Sequence, residues 1–355
     1  MKNKLITGAL LGAFSFGAHA DCSDDSIRLG VLNDRSGLYS DLAGEGSEVA
    51  AKMAAEEFGG TINGVPIDII AADHQNRADI AANLSKEWLA SDGVDAILDG
   101  INSAAALAIQ GITNDEERIF IASGPGTTEL TGEACSRTGS HWTYDTYALS
   151  AGTGRAVVES GLKDWFFITA DYTFGDDLQA TTTGIVEENG GRVLGSVRHP
   201  LNASDFASFI LQAQASGADV IGLANASRDT SNTITQAAEF GIVEAGQSLA
   251  GLLMFLTDIH SLGLETAQGL MLATAFYWDM DDETRAWSAK FEERVGSKPT
   301  MVQAGVYSGV RHYLKAIEKA GTDHGPTVAQ VMREMPVSDM SARNGHIAEI
   351  WANAT

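Results

Sequence analysis

From Ile27 onward, short apolar runs alternate with longer amphipathic segments, and that order comes round twice. The pattern predicts strand 27–32, helix 45–58, strand 65–71, helix 79–89, strand 94–98, helix 103–112 and strand 118–122. It resumes with strand 165–169, helix 176–188, strand 192–197, helix 205–215, strand 219–224, helix 230–240 and strand 251–256. Strands joined through helices pair in parallel, by right-handed crossovers. The fold class expected is therefore α/β, with two Rossmann-like lobes, each built on a central parallel sheet, joined by a hinge and facing one another across a cleft.

The stretch Trp165–Gly175 indicates where such a cleft would be lined. Trp165, Phe166, Phe167 and Ile168 are large and apolar in succession, as a parallel strand buried on both faces requires. Polar residues follow at once. Ligands in open α/β sheets sit beyond the carboxyl ends of the strands, which places Asp171, Tyr172 and Phe174 at a pocket. Phe174, an aromatic before a glycine, fits a core position equally well.

The N-terminus reads as an export signal. Lys2 and Lys4 precede an apolar run from Leu5 to Phe16, and Ala18-His19-Ala20 forms an A-x-A cleavage site. Residues 1–20 are therefore expected to be removed and the rest delivered to the periplasm. No later stretch has the length of a membrane span. The signal holds two of the 23 basic residues and none of the 47 acidic ones, so the remainder carries a formal charge of about −26. That field opposes nucleic acid and anionic lipid. Cys22 and Cys135 are the only cysteines, and in an oxidising compartment they are a disulfide candidate, two separate thiols being the alternative.

The C-terminal third predicts helices 282–295, 301–320 and 327–335, the second amphipathic through Val302, Val306, Val310 and Leu314. Residues 346–351 read as the first arm of a hairpin, and because no second arm follows before Thr355 the last part of the second lobe is expected to be incomplete.

Candidate binding groups lie in loops after strands. Asn102 and Ser103 open an alanine-rich helix, whose free N–H groups and positive dipole end receive a carboxylate, a cap of its own helix being the alternative for Ser103. Thr127, in the loop 123–128, offers further donors to the same anion or belongs to an ordinary turn. Tyr39 would complete an aromatic wall with Tyr172 and Phe174. Asn225, Asp229 and Asp258 follow later strands, and Asp258 would pair with an ammonium or cap the following helix. Asp73, His74 and Asp79 offer too few oxygens for a metal site, and no metal or cofactor is expected. The chain has no Gly-x-Ser-x-Gly elbow, His-Glu-x-x-His, Cys-x-x-Cys or Walker motif, and Gly44-Glu45-Gly46 lacks the third glycine of a dinucleotide loop. An enzyme is not expected.

The order of elements, the export signal and the runs Gly37-Leu38-Tyr39, Asp99–Ser103, Leu130-Thr131-Gly132, Asp171–Gly175, Gln236–Gly241 and Tyr307-Ser308-Gly309 together resemble a type I periplasmic solute-binding protein. The branch is that of the leucine/isoleucine/valine-binding proteins of ABC importers. The resemblance implies lobes of residues 21–145 with 276–335 and 146–275 with 336–355. It implies a first lobe that holds a ligand carboxylate, at Ser103 and Thr127 here. The implied solute is a branched-chain amino acid, an amide or an aromatic acid, and the implied partners are an inner-membrane permease with its ATPase subunits, served by a monomer. A binding protein that signals to a membrane receptor is the alternative.

Overall fold

In the computed structural model the described residues are 22–263, 265–267, 270, 272–342 and 345. The export signal and the arm expected at 346–351 lie outside them.

The first half runs β1 (Ile27–Asn33), α1 (Gly44–Glu57), β2 (Thr61–Ile62), β3 (Val65–Asp73), α2 (Ala78–Ser91), β4 (Ala96–Asp99), α3 (Ser103–Asp115), β5 (Ile119–Ala122) and β6 (Gly139–His141). These strands form one sheet in the order β2-β3-β1-β4-β5-β6, parallel except where β2 turns back on β3. After α4 (Thr146–Leu149), a π-helical turn at Ser150–Gly154 and α5 (Arg155–Glu159), the second half repeats the theme. It runs β7 (Asp164–Ala170), α6 (Thr173–Glu188), β8 (Arg192–His199), α7 (Ala207–Ala215), β9 (Val220–Ala224), α8 (Arg228–Glu239) and β10 (Ser248–Gly251). Its sheet has the order β10-β9-β7-β8, all parallel. The chain continues through α9 (Leu256–Leu262), α10 (Asp282–Val295), α11 (Met301–Ala320) and α12 (Gly325–Glu334). The two expected parallel-sheet lobes are present.

Two strand glycines show how the sheets accept large rings. A Cβ on Gly30 of β1 would come within 2.4 Å of Trp88 on α2, and one on Gly222 of β9 within 2.6 Å of Phe167 on β7. Each missing methyl is the space in which an indole or phenyl ring lies on its sheet, so substitution there overpacks the core. α11, expected to bury one stripe, is buried at fifteen of its twenty positions. It packs along α1, is capped by Thr300 and Gln303, and exchanges hydrogen bonds with the first sheet's loops: Ser123 Oγ donates to Val302 O, while Thr300 Oγ1 and Gln303 Nε2 donate to Leu42 O and Ala43 O. Ser308 Oγ donates to Asp339 and Ser341 Oγ to Ala304 O, so the chain beyond α12 also rests on α11.

Two expectations are corrected. The apolar run Gly251–Leu256 is not a strand: β10 ends at Gly251, and Leu252–Phe255 form a buried loop. Cys22 and Cys135 are not joined by a disulfide. The arm after Cys22 is anchored by Ser23 to Asp323, between α11 and α12, whereas the loop carrying Cys135 is fastened to α3 by Gln110, which donates to the carbonyls of Leu130 and Ala134.

Candidate functional site

Loops from the carboxyl ends of both sheets meet around a small, tightly lined cavity. Tyr39 and Leu42 follow β1, Ile101 follows β4, and Gly124 and Gly126 follow β5; from the other side come Tyr172 and Phe174 after β7, Ala226 after β9, and Leu253 and Phe255 after β10. Tyr144 fills the gap between the two sets. Five of these eleven residues are aromatic and none is charged, so the walls suit an apolar or aromatic body.

Three phenols give the walls their polarity. Tyr39 and Tyr172 hydroxyls lie 2.7 Å apart, tying the first lobe to the second, and Tyr144 donates to Gly124 O at 2.6 Å. Burial pushes all three well above the ordinary phenol range, so they are neutral hydrogen-bonding groups. The Phe174 ring is 6.1 Å from that of Tyr172, and a Cβ on Gly126 would approach it to 2.8 Å. Glycine at 126 lets the second lobe's ring rest on the first lobe's backbone.

Ile101, in the first-lobe wall, leads within two residues into α3. Asn102 is spent on capping, its Oδ1 accepting from Ala105 N at 3.0 Å. Ser103 is 1% exposed and its hydroxyl has no hydrogen-bond partner, so it is not a cap. Thr127, fully buried, accepts from Glu129 N at 3.3 Å, which leaves its O–H able to donate. A buried helix N-terminus with an unpartnered hydroxyl is chemically a receptor for an anion.

The remaining expected residues are placed differently. Asn225 is turned into the second lobe, donating to His199 Nε2 at 3.0 Å and accepting from Thr230 Oγ1 at 2.7 Å, away from the cavity wall. Asp258 accepts from Phe255 N at 2.8 Å and caps its own helix. Asp229 accepts from Asn202 N through Oδ2, while its buried Oδ1 has no partner. Tyr144, Leu253 and Phe255 were not singled out in the sequence. Phe255 was hidden inside an apolar run that reads as strand, and Tyr144 follows β6, three residues with no strand signature.

Three buried carboxylates here have a common electrostatic signature. Burial raises Asp99, Asp229 and Asp258 to about 6, against hydrogen bonds donated by Asn33 to Asp99, by Asn202 N to Asp229 and by Phe255 N to Asp258. An acid raised on folding holds its proton more tightly in the native state, so its contribution is complete below about 4, the unfolded value, and is lost as pH rises through 6. Glu48, partly desolvated but paired with Lys52 and Arg35, is shifted the other way, and its contribution fades only toward pH 4. Buried His74, His141, His199 and His312, lowered by desolvation, act with the opposite sign as pH falls through about 6.5. The carboxylate effect is therefore read by difference: Asp99→Asn is expected to gain less Tm, or lose more, than the wild type between pH 7.5 and 5, measured calorimetrically at constant ionic strength, and an identical pH profile in the variant would contradict the assignment.

The profile of the family described as "Periplasmic binding protein" matches residues 26–351. The fold superimposes on a solved periplasmic binding protein from Burkholderia mallei with a TM-score of 0.89 and 47% identity, over 91% of this chain and 86% of that one. A branched chain amino acid ABC transporter periplasmic ligand-binding protein from Burkholderia xenovorans LB400 gives 0.79 and 36%, over 90% and 86%. A solute binding protein of an ABC transporter from Rhodopseudomonas palustris BisB5, solved with 3,4-dihydroxy benzoic acid, gives 0.81 at 22% identity, over 90% and 88%, and is a likeness of fold alone. The chain belongs to the periplasmic binding protein family, in its type I, two-lobed form. That family binds solutes and is not a class of enzymes. Among the described residues no helix is long and apolar enough to cross a membrane.

Proposed function

We propose that this chain is the solute-capturing component of an ABC importer, closing in the periplasm on a small carboxylate-bearing molecule with an apolar or aromatic body. The observation that carries the reading is a cavity lined by aromatic side chains from both lobes, with Ile101 in its wall two residues before Ser103, whose buried hydroxyl at the start of α3 has no partner. The lobes of the clamp are taken as residues 22–145 with 276–342, and 146–275. Residues 336–342 go with the first because Asp339 and Ser341 bond to α11. In this reading Ser103 and Thr127 donate to the carboxylate, Tyr39, Tyr144, Tyr172 and Phe174 enclose the body, and Asp229 Oδ1 accepts from any ammonium or hydroxyl at the far end. Asn102, Asn225 and Asp258 support the loops. Solute touching both lobes favours the closed arrangement of a hinge that moves with or without it.

A thermal-shift screen of branched-chain amino acids, their amides and substituted benzoates tests this, because a ligand of the native state raises Tm by mass action. At a hundred times Kd the gain is about 2.7 kcal/mol. Stabilisation by at least one carboxylate and not by its methyl ester is the expected result; no response from the whole panel counts against the reading.

A further inference from the structure

We infer that Ser227 is a positioning residue that helps to hold the two lobes together from the cleft mouth. It stands immediately before α8, where serine ordinarily turns its hydroxyl back to cap the helix. Here it makes no capping hydrogen bond. Instead Ser227 Oγ, 2% exposed, donates across the cleft to Leu38 O at 3.0 Å, and the neighbouring Arg228 Nη2 donates to Gly37 O at 3.2 Å. The backbone of Ser227 has φ 58° and ψ −138°, a region that residues with a Cβ rarely adopt. A glycine would sit there without strain but would carry no hydroxyl.

The receiving turn is built to be rigid. Asp34 accepts from Gly37 N and Tyr39 N, both at 2.8 Å, and also from Asn76 Nδ2. A Cβ on Gly37 would meet Asp34 Oδ1 at 2.7 Å, so the turn closes only around glycine. Its two carbonyls are thereby held toward Ser227 and Arg228, beside the Tyr39–Tyr172 contact. The latch uses backbone acceptors on one lobe and a strained side-chain donor on the other, so it adds to closure without touching solute.

This inference rests on the hinged-clamp reading but is tested without any solute. Spin labels on Lys86→Cys and Gln212→Cys, exposed positions of α2 and α7, in a Cys22→Ser, Cys135→Ser background, report the distance between lobes by double electron–electron resonance. Wild-type Ser227 is expected to give a short-distance population, which Ser227→Ala and Ser227→Gly each reduce by roughly three- to tenfold, the effect of one net hydrogen bond. Ser227→Gly should also have a higher Tm than Ser227→Ala, because it relieves the strained backbone. That combination separates a latch from a group needed only for folding, whose loss would lower Tm in both. Unchanged distances in either variant, a wild-type protein with no short-distance population, or a Tm for Ser227→Gly at or below that of Ser227→Ala would each overturn the inference. A failed solute screen would bear on the importer reading alone.

Discussion

Ser103→Ala is expected to weaken solute binding by roughly 10- to 150-fold while leaving Tm of the empty protein unchanged or slightly higher. The two halves of that result have one cause. The Ser103 hydroxyl is buried and has no partner within the protein, so deleting it removes no intramolecular hydrogen bond and relieves an unsatisfied polar group. A hydrogen bond from that hydroxyl to a carboxylate is worth about 1.5–3 kcal/mol, which sets the fold-change. The chain's formal charge of −24 makes the local donors decisive, since the long-range field repels an anion and is screened by salt, whereas a helix N-terminus acts at contact distance. Calorimetric titration with the solute identified by screening measures the first half and a thermal melt the second. Wild-type affinity in the variant would remove Ser103 from the site; a lowered Tm would make it a structural serine.

Gly175→Ala is the substitution expected to damage the fold most for its size. Gly175 lies in the first turn of α6, and a Cβ there would come within 2.0 Å of Ala170 O and 2.9 Å of its carbon. Those are backbone atoms at the end of a central strand, so no side chain can swing away. The turn Ala170–Tyr172 must move instead, at a cost of about 3 kcal/mol or more. Tm is expected to drop by on the order of 5 °C or more. Because Tyr172 and Phe174 sit in the displaced segment, affinity should fall with it. A variant with wild-type Tm would show that the strand-to-helix turn has room the structure does not show.

Much of this architecture was legible in the sequence, because buried parallel strands and the helices between them leave periodic traces. Trp165–Ile168 announced β7, and the glycine at 175 fell where the chain turns into α6. The placement of Tyr39, Tyr172 and Phe174 at one cavity followed from the rule that loops after parallel strands converge. What was not legible depends on who satisfies whom. Ser103 and Asn102 are adjacent, both suited to a helix start, and only three-dimensional accounting shows Asn102 capping and Ser103 left over. Asn225 and Asp258 looked like site residues for the same reason, polar groups after strands, yet His199, Thr230 and the Phe255 N–H engage them. Leu252–Phe255 carried a strand's composition but forms a buried loop, because burial in the cleft demands the same apolar residues as burial in a sheet. Tyr144 had no periodic context at all. The strained backbone of Ser227 leaves no trace in a one-dimensional pattern.

The most direct test of the account is a crystal structure of the chain with a carboxylate solute found by the screen. Density is expected between the two lobes, with the carboxylate within hydrogen-bond distance of Ser103 Oγ at the start of α3 and the body of the solute against Tyr172 and Phe174. A solute bound to the outer surface of one lobe, or lying in the cleft with its carboxylate turned away from α3, would contradict it.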